Sequence, residues 1–122
     1  MPKRILVADD SPSIRKLVEF TLKSKGIQQS SAEDGREALE LLAKGRFDAI
    51  VLDINMPRMD GFELLKTIKA DDAYASIPVI MLTTEGQEED RQKAMDLGAN
   101  EYIVKPFKPT QLLQLVEKVL AP

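Results

Sequence analysis

Cysteine and histidine are both absent from the 122 residues of the sequence. Without cysteine, the chain has no disulfides, no thiol nucleophile and no thiolate ligand for a metal. Without histidine, it has neither a Ser–His–Asp triad nor an imidazole ligand for zinc. Any chemistry must therefore use carboxylates, hydroxyls, lysine and at most a hard cation such as Mg²⁺.

Long apolar runs and an excess of basic charge are missing as well. The longest apolar runs, Ala49–Leu52 and Val79–Leu82, are far shorter than the roughly 18 residues that a membrane span needs. The apolar stretch after Lys3-Arg4 is too short for the core of a signal peptide. With 17 basic and 20 acidic residues, the net charge of −3 offers no footprint for nucleic acid. We expect one cytoplasmic domain that binds neither membranes nor nucleic acid.

Strand patterns and helix patterns alternate along the chain. Apolar runs predict five strands, the second more polar than the others, at Arg4–Ala8, Ile27–Ala32, Phe47–Asp53, Val79–Thr83 and Glu101–Val104. Apolar residues at helical spacing predict a helix after each strand: from Pro12 to a stop at Gly26, from Asp34-Gly35, over Gly61–Ala70, over Glu88–Leu97 and from Thr110. Five such units with buried strands indicate an α/β fold, with a doubly wound parallel sheet covered by helices on both faces.

The ends of these strands carry the candidate functional residues. Asp9 and Asp10 follow the first strand, Asp53 ends the third, Thr83 ends the fourth and Lys105 follows the fifth. Ligands of doubly wound sheets bind beyond the carboxyl ends of the strands, so we expect these side chains to converge. Two like charges about 4 Å apart repel by roughly 4 kcal/mol at an effective dielectric near 20. The cluster therefore predicts a Mg²⁺ site and, with lysine and threonine, a socket for a phosphoryl group.

Four motifs, in this order and spacing, resemble the receiver domain of two-component response regulators, the CheY-like superfamily. They are "ILVADDSPSIR", "DAIVLDINMPRMDG", "VIMLTT" and "GANEYIVKPF", and together they span all five predicted strands. The resemblance implies the strand order 2-1-3-4-5 of the flavodoxin/CheY-like (βα)5 fold. It also implies a single receiver domain over residues 1–122 with no output domain.

The resemblance assigns the central chemistry to Asp53. This carboxylate would accept a phosphoryl group from the phosphohistidine of a sensor histidine kinase or a histidine phosphotransfer protein. Asp10, Asp53 and the backbone carbonyl of Asn55 would hold Mg²⁺, with Asp9 bound to one of the metal's waters. In-line positioning and charge neutralisation account for most of phosphoryl transfer, so no histidine is needed in this chain.

Signalling roles follow from the same resemblance. Lys105, before an expected cis peptide to proline, would pair with a phosphoryl oxygen, and Thr83 would hydrogen-bond the attached group. Movement of Thr83 would let Tyr102 turn inward and shift the population between two packings of the face made by the fourth helix, fifth strand and fifth helix. Asn55 and Glu85 would tune how fast water removes the phosphoryl group.

The domain would thus be a signalling module rather than an enzyme, because it catalyses only its own phosphorylation and slow dephosphorylation. The face made by the fourth helix, fifth strand and fifth helix would dock on a downstream protein in chemotaxis, another form of motility or a phosphorelay. The residues name neither that target nor the kinase. A monomer is the default expectation, with pairing on phosphorylation as the alternative.

Other functions compete with this one. A Mg²⁺-dependent phosphohydrolase of the haloacid-dehalogenase type also attacks with an aspartate after a strand, but it needs a second aspartate where this chain has Asn55. A flavodoxin-like cofactor binder would offer Ser, Thr and Gly to a phosphate, whereas the first loop here offers two acids. A receiver that acts without phosphorylation would not need all five of the strand-end residues, and this chain has them all: Asp9, Asp10, Asp53, Thr83 and Lys105.

Purely structural roles also remain open for these residues. Asp9 and Asp10 suit the start of a helix, where the dipole favours acids. Asp53 can serve as a turn former, Thr83 is an ordinary residue for a strand end, and Tyr102 can be a half-buried aromatic with no switching role.

Overall fold

A computed structural model describes residues 2–84 and 88–121 of the chain. Strands and helices alternate throughout, in the order β1 Arg4–Ala8, α1 Pro12–Lys23, β2 Gln28–Ala32, α2 Gly35–Lys44, β3 Ala49–Asp53, α3 Gly61–Ala70, β4 Val79–Thr84, α4 Glu88–Asp96, β5 Glu101–Lys105 and α5 Pro109–Leu120. The strands form one parallel sheet in the order β2-β1-β3-β4-β5. The predicted fold class and strand order are confirmed.

Several predicted boundaries were wrong by one or two residues. β3 begins at Ala49 rather than Phe47. Just before it, the Asp48 carboxylate accepts a hydrogen bond from the Arg4 amide at 2.9 Å, in place of backbone pairing between the strands. β2 begins at Gln28 rather than Ile27, since the Ile27 amide still donates to the carbonyl of Leu22 at the end of α1. β4 and β5 each extend one residue further, to Thr84 and Lys105, and the last helix starts at Pro109.

The sheet separates two apolar clusters, which is why the middle of each inner strand consists of apolar residues. Alternate residues point to opposite faces of a strand. One cluster, against α2 and α3, contains Leu6, Ala8, Ile50, Leu52 and Met81 from the strands. The other, against α1 and α5, contains Ile5, Val7, Ala49, Val51, Ile80 and Leu82. Each fully buried large aliphatic side chain contributes about 1.5–3 kcal/mol, so the two clusters hold the strand ends in place.

Helix α4 is the most weakly anchored helix in the described part of the chain. Ala94 is its one buried residue. Met95 is partly buried against the core, and two cations of α4 lie over aromatic rings: Arg91 is 4.5 Å from the ring centre of Tyr102, and Lys93 is 4.4 Å from that of Phe62. Such contacts contribute about 0.5–1 kcal/mol at exposed sites, less than a buried aliphatic side chain.

None of the helices in the described segments is long and apolar enough to cross a membrane.

Gly61 begins α3 at a point where two backbone segments nearly touch. Its amide donates to the carbonyl of Ile54 at 2.8 Å. A Cβ added at this position would lie 2.2 Å from the carbonyl oxygen of Asp53 and 2.8 Å from the Cα of Ile54. Since both neighbours are backbone atoms, they cannot rotate away. Glycine at this position therefore lets α3 start directly behind the end of β3.

We predict that Gly61→Ala lowers the free energy of unfolding by about 1–3 kcal/mol, the usual cost of overpacking. Urea unfolding followed by circular dichroism measures this change. Gly45→Ala is the matched control, because the atoms nearest to a Cβ there belong to the Arg4 guanidinium, with Nη1 at 3.1 Å, and that group ends a flexible side chain. We expect the control to stay within about 0.5 kcal/mol of wild type. Equal stability of the two variants would contradict the close approach at Gly61.

Candidate functional site

Three acids predicted from the strand ends meet at the carboxyl edge of the sheet. Asp9, Asp10 and Asp53 each direct a carboxylate oxygen into one cluster, with all three oxygens within 4.8 Å of one another. Asp9 and Asp53 are buried and Asp10 is exposed. The parallel pairing of β1 with β3 brings these strand ends side by side. The predicted convergence of the acids is therefore present in the structure.

Lys105 joins the acids from the end of β5. Its Nζ lies 2.9 Å from Asp9 Oδ2 and 3.1 Å from Asp53 Oδ1. The peptide between Lys105 and Pro106 is cis, as the resemblance implied. One ammonium thus faces two buried carboxylates at hydrogen-bonding distance, while the third carboxylate, that of Asp10, stays exposed to solvent.

Asp9 is held rigidly, yet one of its oxygens is incompletely satisfied. Its Oδ1 accepts a hydrogen bond from the Ser11 amide at 2.8 Å, and its carbonyl accepts one from Arg15 at 2.7 Å. Its Oδ2 is buried and lies 2.9 Å from Lys105 Nζ, with no other hydrogen-bond donor among the described residues. Such an oxygen has lone-pair capacity left for a cation.

Burial and charge shift the pKa values of the central pair. Burial raises the pKa of Asp53 above its ordinary value, and the nearby Asp9 charge raises it further, against the lowering effect of Lys105. Burial alone would lower the pKa of Lys105, but its contacts with Asp9 and Asp53 outweigh burial and the net shift is upward. Lysine therefore remains protonated while the carboxylates repel one another. One more positive charge would relieve the remaining repulsion.

The cluster suits a small, hard cation. Opposite ligands of an octahedral Mg²⁺ lie about 4.2 Å apart, because each Mg–O distance is about 2.1 Å. Neighbouring ligands lie about 3.0 Å apart. The oxygens of the three acids all lie within 4.8 Å of one another, close enough for a cation between them when one carboxylate binds through water. Asp10 is exposed to solvent, and Lys105 is the only cationic partner of Asp9 Oδ2 among the described residues, so both carboxylates keep lone pairs for a metal or its waters. The residues present therefore fit Mg²⁺.

Thr83 and Tyr102 lie on the strands beside the acids. Thr83 is buried, and its hydroxyl donates to the carbonyl of Ile103 at 3.5 Å, so it is directed towards β5. Tyr102 is half-buried on β5, beneath the guanidinium of Arg91 from α4. The sequence analysis missed Arg91, because α4 reads as a solvated charged helix and no spacing links it to a strand residue. Only the packing of α4 beside β5 brings the two side chains together.

The remaining predicted residues lie in the loops of the same edge. Asn55 is exposed in the loop between β3 and α3, two positions after Asp53, which places its backbone at the rim of the acid cluster. Glu85, predicted to tune the removal of the phosphoryl group, lies outside the described residues. A second missed feature is the pairing of Arg58, from the same loop, with the buried Asp34 at the start of α2.

The arrangement places a buried carboxylate beside a cationic partner and two further acids. Asp53 is buried at 4% exposure and ends a strand that is buried along its whole length, so its carboxylate is held in place. Lys105 supplies a fixed positive charge beside it. Electrostatic preorganisation of this kind stabilises an anionic group that develops or arrives at the site.

Known proteins share the sequence and fold of the chain. The profile of the response regulator receiver domain matches residues 5–117. The chemotaxis protein CheY-3 of Vibrio cholerae is 41% identical over 117 residues, which span 95% of this chain and 90% of CheY-3. The structure of the chemotaxis response regulator CheY4 of Vibrio cholerae superposes with a TM-score of 0.92 at 43% identity, over 98% of this chain and 100% of that one.

A third relative bears on the metal. The receiver domain of the sensor histidine kinase PA1611 from Pseudomonas aeruginosa superposes with a TM-score of 0.91 at 29% identity and covers 100% of both chains. That domain was solved with a magnesium ion coordinated in its active site cleft. Sequence profile, relatives and fold agree with the four motifs, and the chain belongs to the response regulator receiver domains as a CheY-like signalling module.

Proposed function

We propose that the chain accepts a phosphoryl group on Asp53 in a Mg²⁺-dependent reaction and signals by docking on a partner protein. The observation that carries this proposal is the position of Asp53 at the end of β3. Its carboxylate is buried, lies 3.1 Å from Lys105 Nζ and shares a cluster with Asp9 and Asp10. This geometry combines a fixed nucleophile with cationic neutralisation, which are the two requirements of phosphoryl transfer.

In the proposed reaction, a carboxylate oxygen of Asp53 attacks the phosphorus of a phosphohistidine on a sensor histidine kinase or a histidine phosphotransfer protein. An O–P bond forms to Asp53 as the P–N bond breaks, and the histidine nitrogen keeps the electron pair. Lys105 Nζ, already 3.1 Å from Asp53, would pair with an oxygen of the transferred group. No proton has to leave Asp53, because it reacts as the carboxylate.

Mg²⁺ would be held by the carboxylates of Asp10 and Asp53 and the backbone carbonyl of Asn55, with Asp9 binding a metal-bound water. The metal would neutralise negative charge on the phosphoryl oxygens. The close spacing of the three carboxylates, two of them buried, supports this assignment. The magnesium ion in the cleft of the PA1611 receiver domain is a precedent at 29% identity.

The signal would leave through the face formed by α4, β5 and α5. Once Asp53 is phosphorylated, Thr83 would turn from the carbonyl of Ile103 towards the phosphoryl group, and Tyr102 would turn inward. The weak anchoring of α4 supports a shift between two packings, because few buried contacts have to break. A groove of about 650 Å³ runs along β5 and α5 on this face, with the exposed Val104 in its wall. The relatives CheY-3 and CheY4 act in chemotaxis, which makes a motility target one candidate partner.

We predict that acetyl phosphate with Mg²⁺ adds one phosphoryl group to the protein and none to Asp53→Asn. Intact-mass spectra taken before and after incubation measure the modification. Incubation with a chelator is a second control and should abolish the mass increase. Equal modification of the wild type and Asp53→Asn would contradict Asp53 as the acceptor, because another residue would then carry the group.

We predict that Asp53→Asn raises the urea midpoint of the metal-free protein at neutral pH. Because the pKa of Asp53 is raised in the folded protein, protonation of Asp53 stabilises the folded state. That contribution is complete below the ordinary pKa of 3.8 and is lost as pH rises through the raised value. The advantage of the variant should therefore grow from acidic to neutral pH. Asp10→Asn should also raise the urea midpoint of the metal-free protein.

The same unfolding curves in Mg²⁺ test the metal site. Mg²⁺ binds only the folded cluster, so it should stabilise the wild type by about 1.4 kcal/mol at ten times its dissociation constant. The advantage of Asp53→Asn and Asp10→Asn should then shrink or reverse, since each variant loses a ligand. A midpoint that falls in both variants without metal would show that the acids do not repel one another in the folded protein.

A further inference from the structure

Residues 54–60 form the loop from β3 to α3, and the proposed metal ligand Asn55 lies in it. The ends of this loop are held by backbone hydrogen bonds: the Ile54 amide donates to Leu82 at 3.3 Å and the Gly61 amide donates to Ile54 at 2.8 Å. Asn55 is the second residue after Asp53, so its backbone lies beside the acid cluster. The conformation of the loop thus decides where the carbonyl of Asn55 points.

The middle of the loop has an unfavourable backbone conformation. Arg58 has a φ of 66°, and it is the one residue other than glycine with a positive φ in the described part of the chain. The amide of Met59 donates to the carbonyl of Pro57 at 2.7 Å, which closes a γ-turn around Arg58. Residues with a side chain rarely adopt this conformation, so contacts elsewhere must hold the loop in place.

One of those contacts is an ion pair to the neighbouring loop. Arg58 Nη1 pairs with Oδ2 of Asp34, a carboxylate that is only 2% exposed. The other oxygen, Oδ1, caps α2 by accepting from the Glu37 amide at 2.9 Å. The first residue of α2 also touches the loop, because a Cβ added at Gly35 would lie 2.8 Å from the Cβ and the carbonyl oxygen of Met59. The loop is therefore seated on the start of α2.

We propose that Arg58 and Asp34 form a positioning pair that holds the loop of residues 54–60 in the conformation that binds Mg²⁺. Neither residue belongs to the acid cluster, so the pair acts through the backbone of Asn55. This inference rests on the proposed function, because it assigns a role towards the metal of that same site. Contacts that orient the ligands of a metal commonly change its affinity by about tenfold or more.

Positioning and simple electrostatics predict opposite effects for one substitution. Arg58→Met removes a positive charge near a cation site, so electrostatics alone would leave Mg²⁺ binding equal or tighter. It also removes the partner of Asp34, and positioning therefore predicts weaker binding. Methionine keeps an unbranched apolar stem and the demand for a positive φ but lacks the guanidinium, so the ion pair is the main feature that changes.

The experiment measures the dissociation constant for Mg²⁺ by isothermal titration calorimetry with the full chain. We expect Arg58→Met to weaken binding about tenfold and Arg58→Lys, which can still pair with Asp34, to restore most of the affinity. Arg36→Met is the matched control, because Arg36 lines the same cleft of about 290 Å³ as Arg58 and Asp34. Arg36 makes no ion pair with any residue that the structure describes, so its removal should leave binding equal or slightly tighter.

A purely structural role would give a different result. It would lower the urea midpoint of Arg58→Met and leave its Mg²⁺ affinity equal to that of wild type where both are folded. Asp34→Asn keeps a side-chain oxygen for the cap of α2, and combined with Arg58→Met it should weaken binding no further than either change alone. Additive losses, or an Arg58→Met variant that binds like wild type, overturn the inference. A wild type that binds no Mg²⁺ would instead overturn the proposed function, and the inference with it.

Discussion

Crowding of negative charge at the carboxyl edge of an apolar sheet is the constraint on which the site depends. Apart from Arg4 at the start of β1, the residues of β1 and β3 are buried and apolar until the strands reach the carboxyl edge, where the acids appear. Parallel pairing puts those ends side by side, and Asp9 and Asp53 meet there with Lys105 as their common partner. Burial makes this arrangement costly without a further cation, because the repulsion is weakly screened. The same cost would favour the binding of a cation by the three acids.

The rest of the fold serves to keep that crowding in place. Two apolar clusters lock the strands from both sides, and Gly61 lets α3 start against the backbone of Asp53. The loops between these elements are then short and held at several points. A site built in this way has little freedom to relax by moving its carboxylates apart, so relief has to come from bound cations or from protonation.

Rigidity is not uniform across the molecule. The α1, α2 and α3 helices insert large aliphatic side chains into the core. Helix α4 fully buries one alanine, and its Arg91 and Lys93 contact aromatic rings of neighbouring elements. Elements with few buried apolar contacts lie at the low end of local stability. A charge added at Asp53 would therefore act on a stiff centre that borders a loosely held helix, which is the combination a two-state signalling face needs.

The sequence by itself determined the fold class, the element order and the acids at the strand ends. Those features follow from local periodicity and from the rule that parallel strands share one edge, and four motifs in register identified the family. Local pattern could not determine that β3 starts at Ala49. The start depends on a hydrogen bond from the Arg4 amide to the Asp48 carboxylate, and these residues are far apart in the chain. Only the tertiary structure decided the pairing of Arg58 with Asp34 and of Arg91 with Tyr102. These partners are far apart in the chain, and no periodicity of a strand or helix encodes which elements pack together.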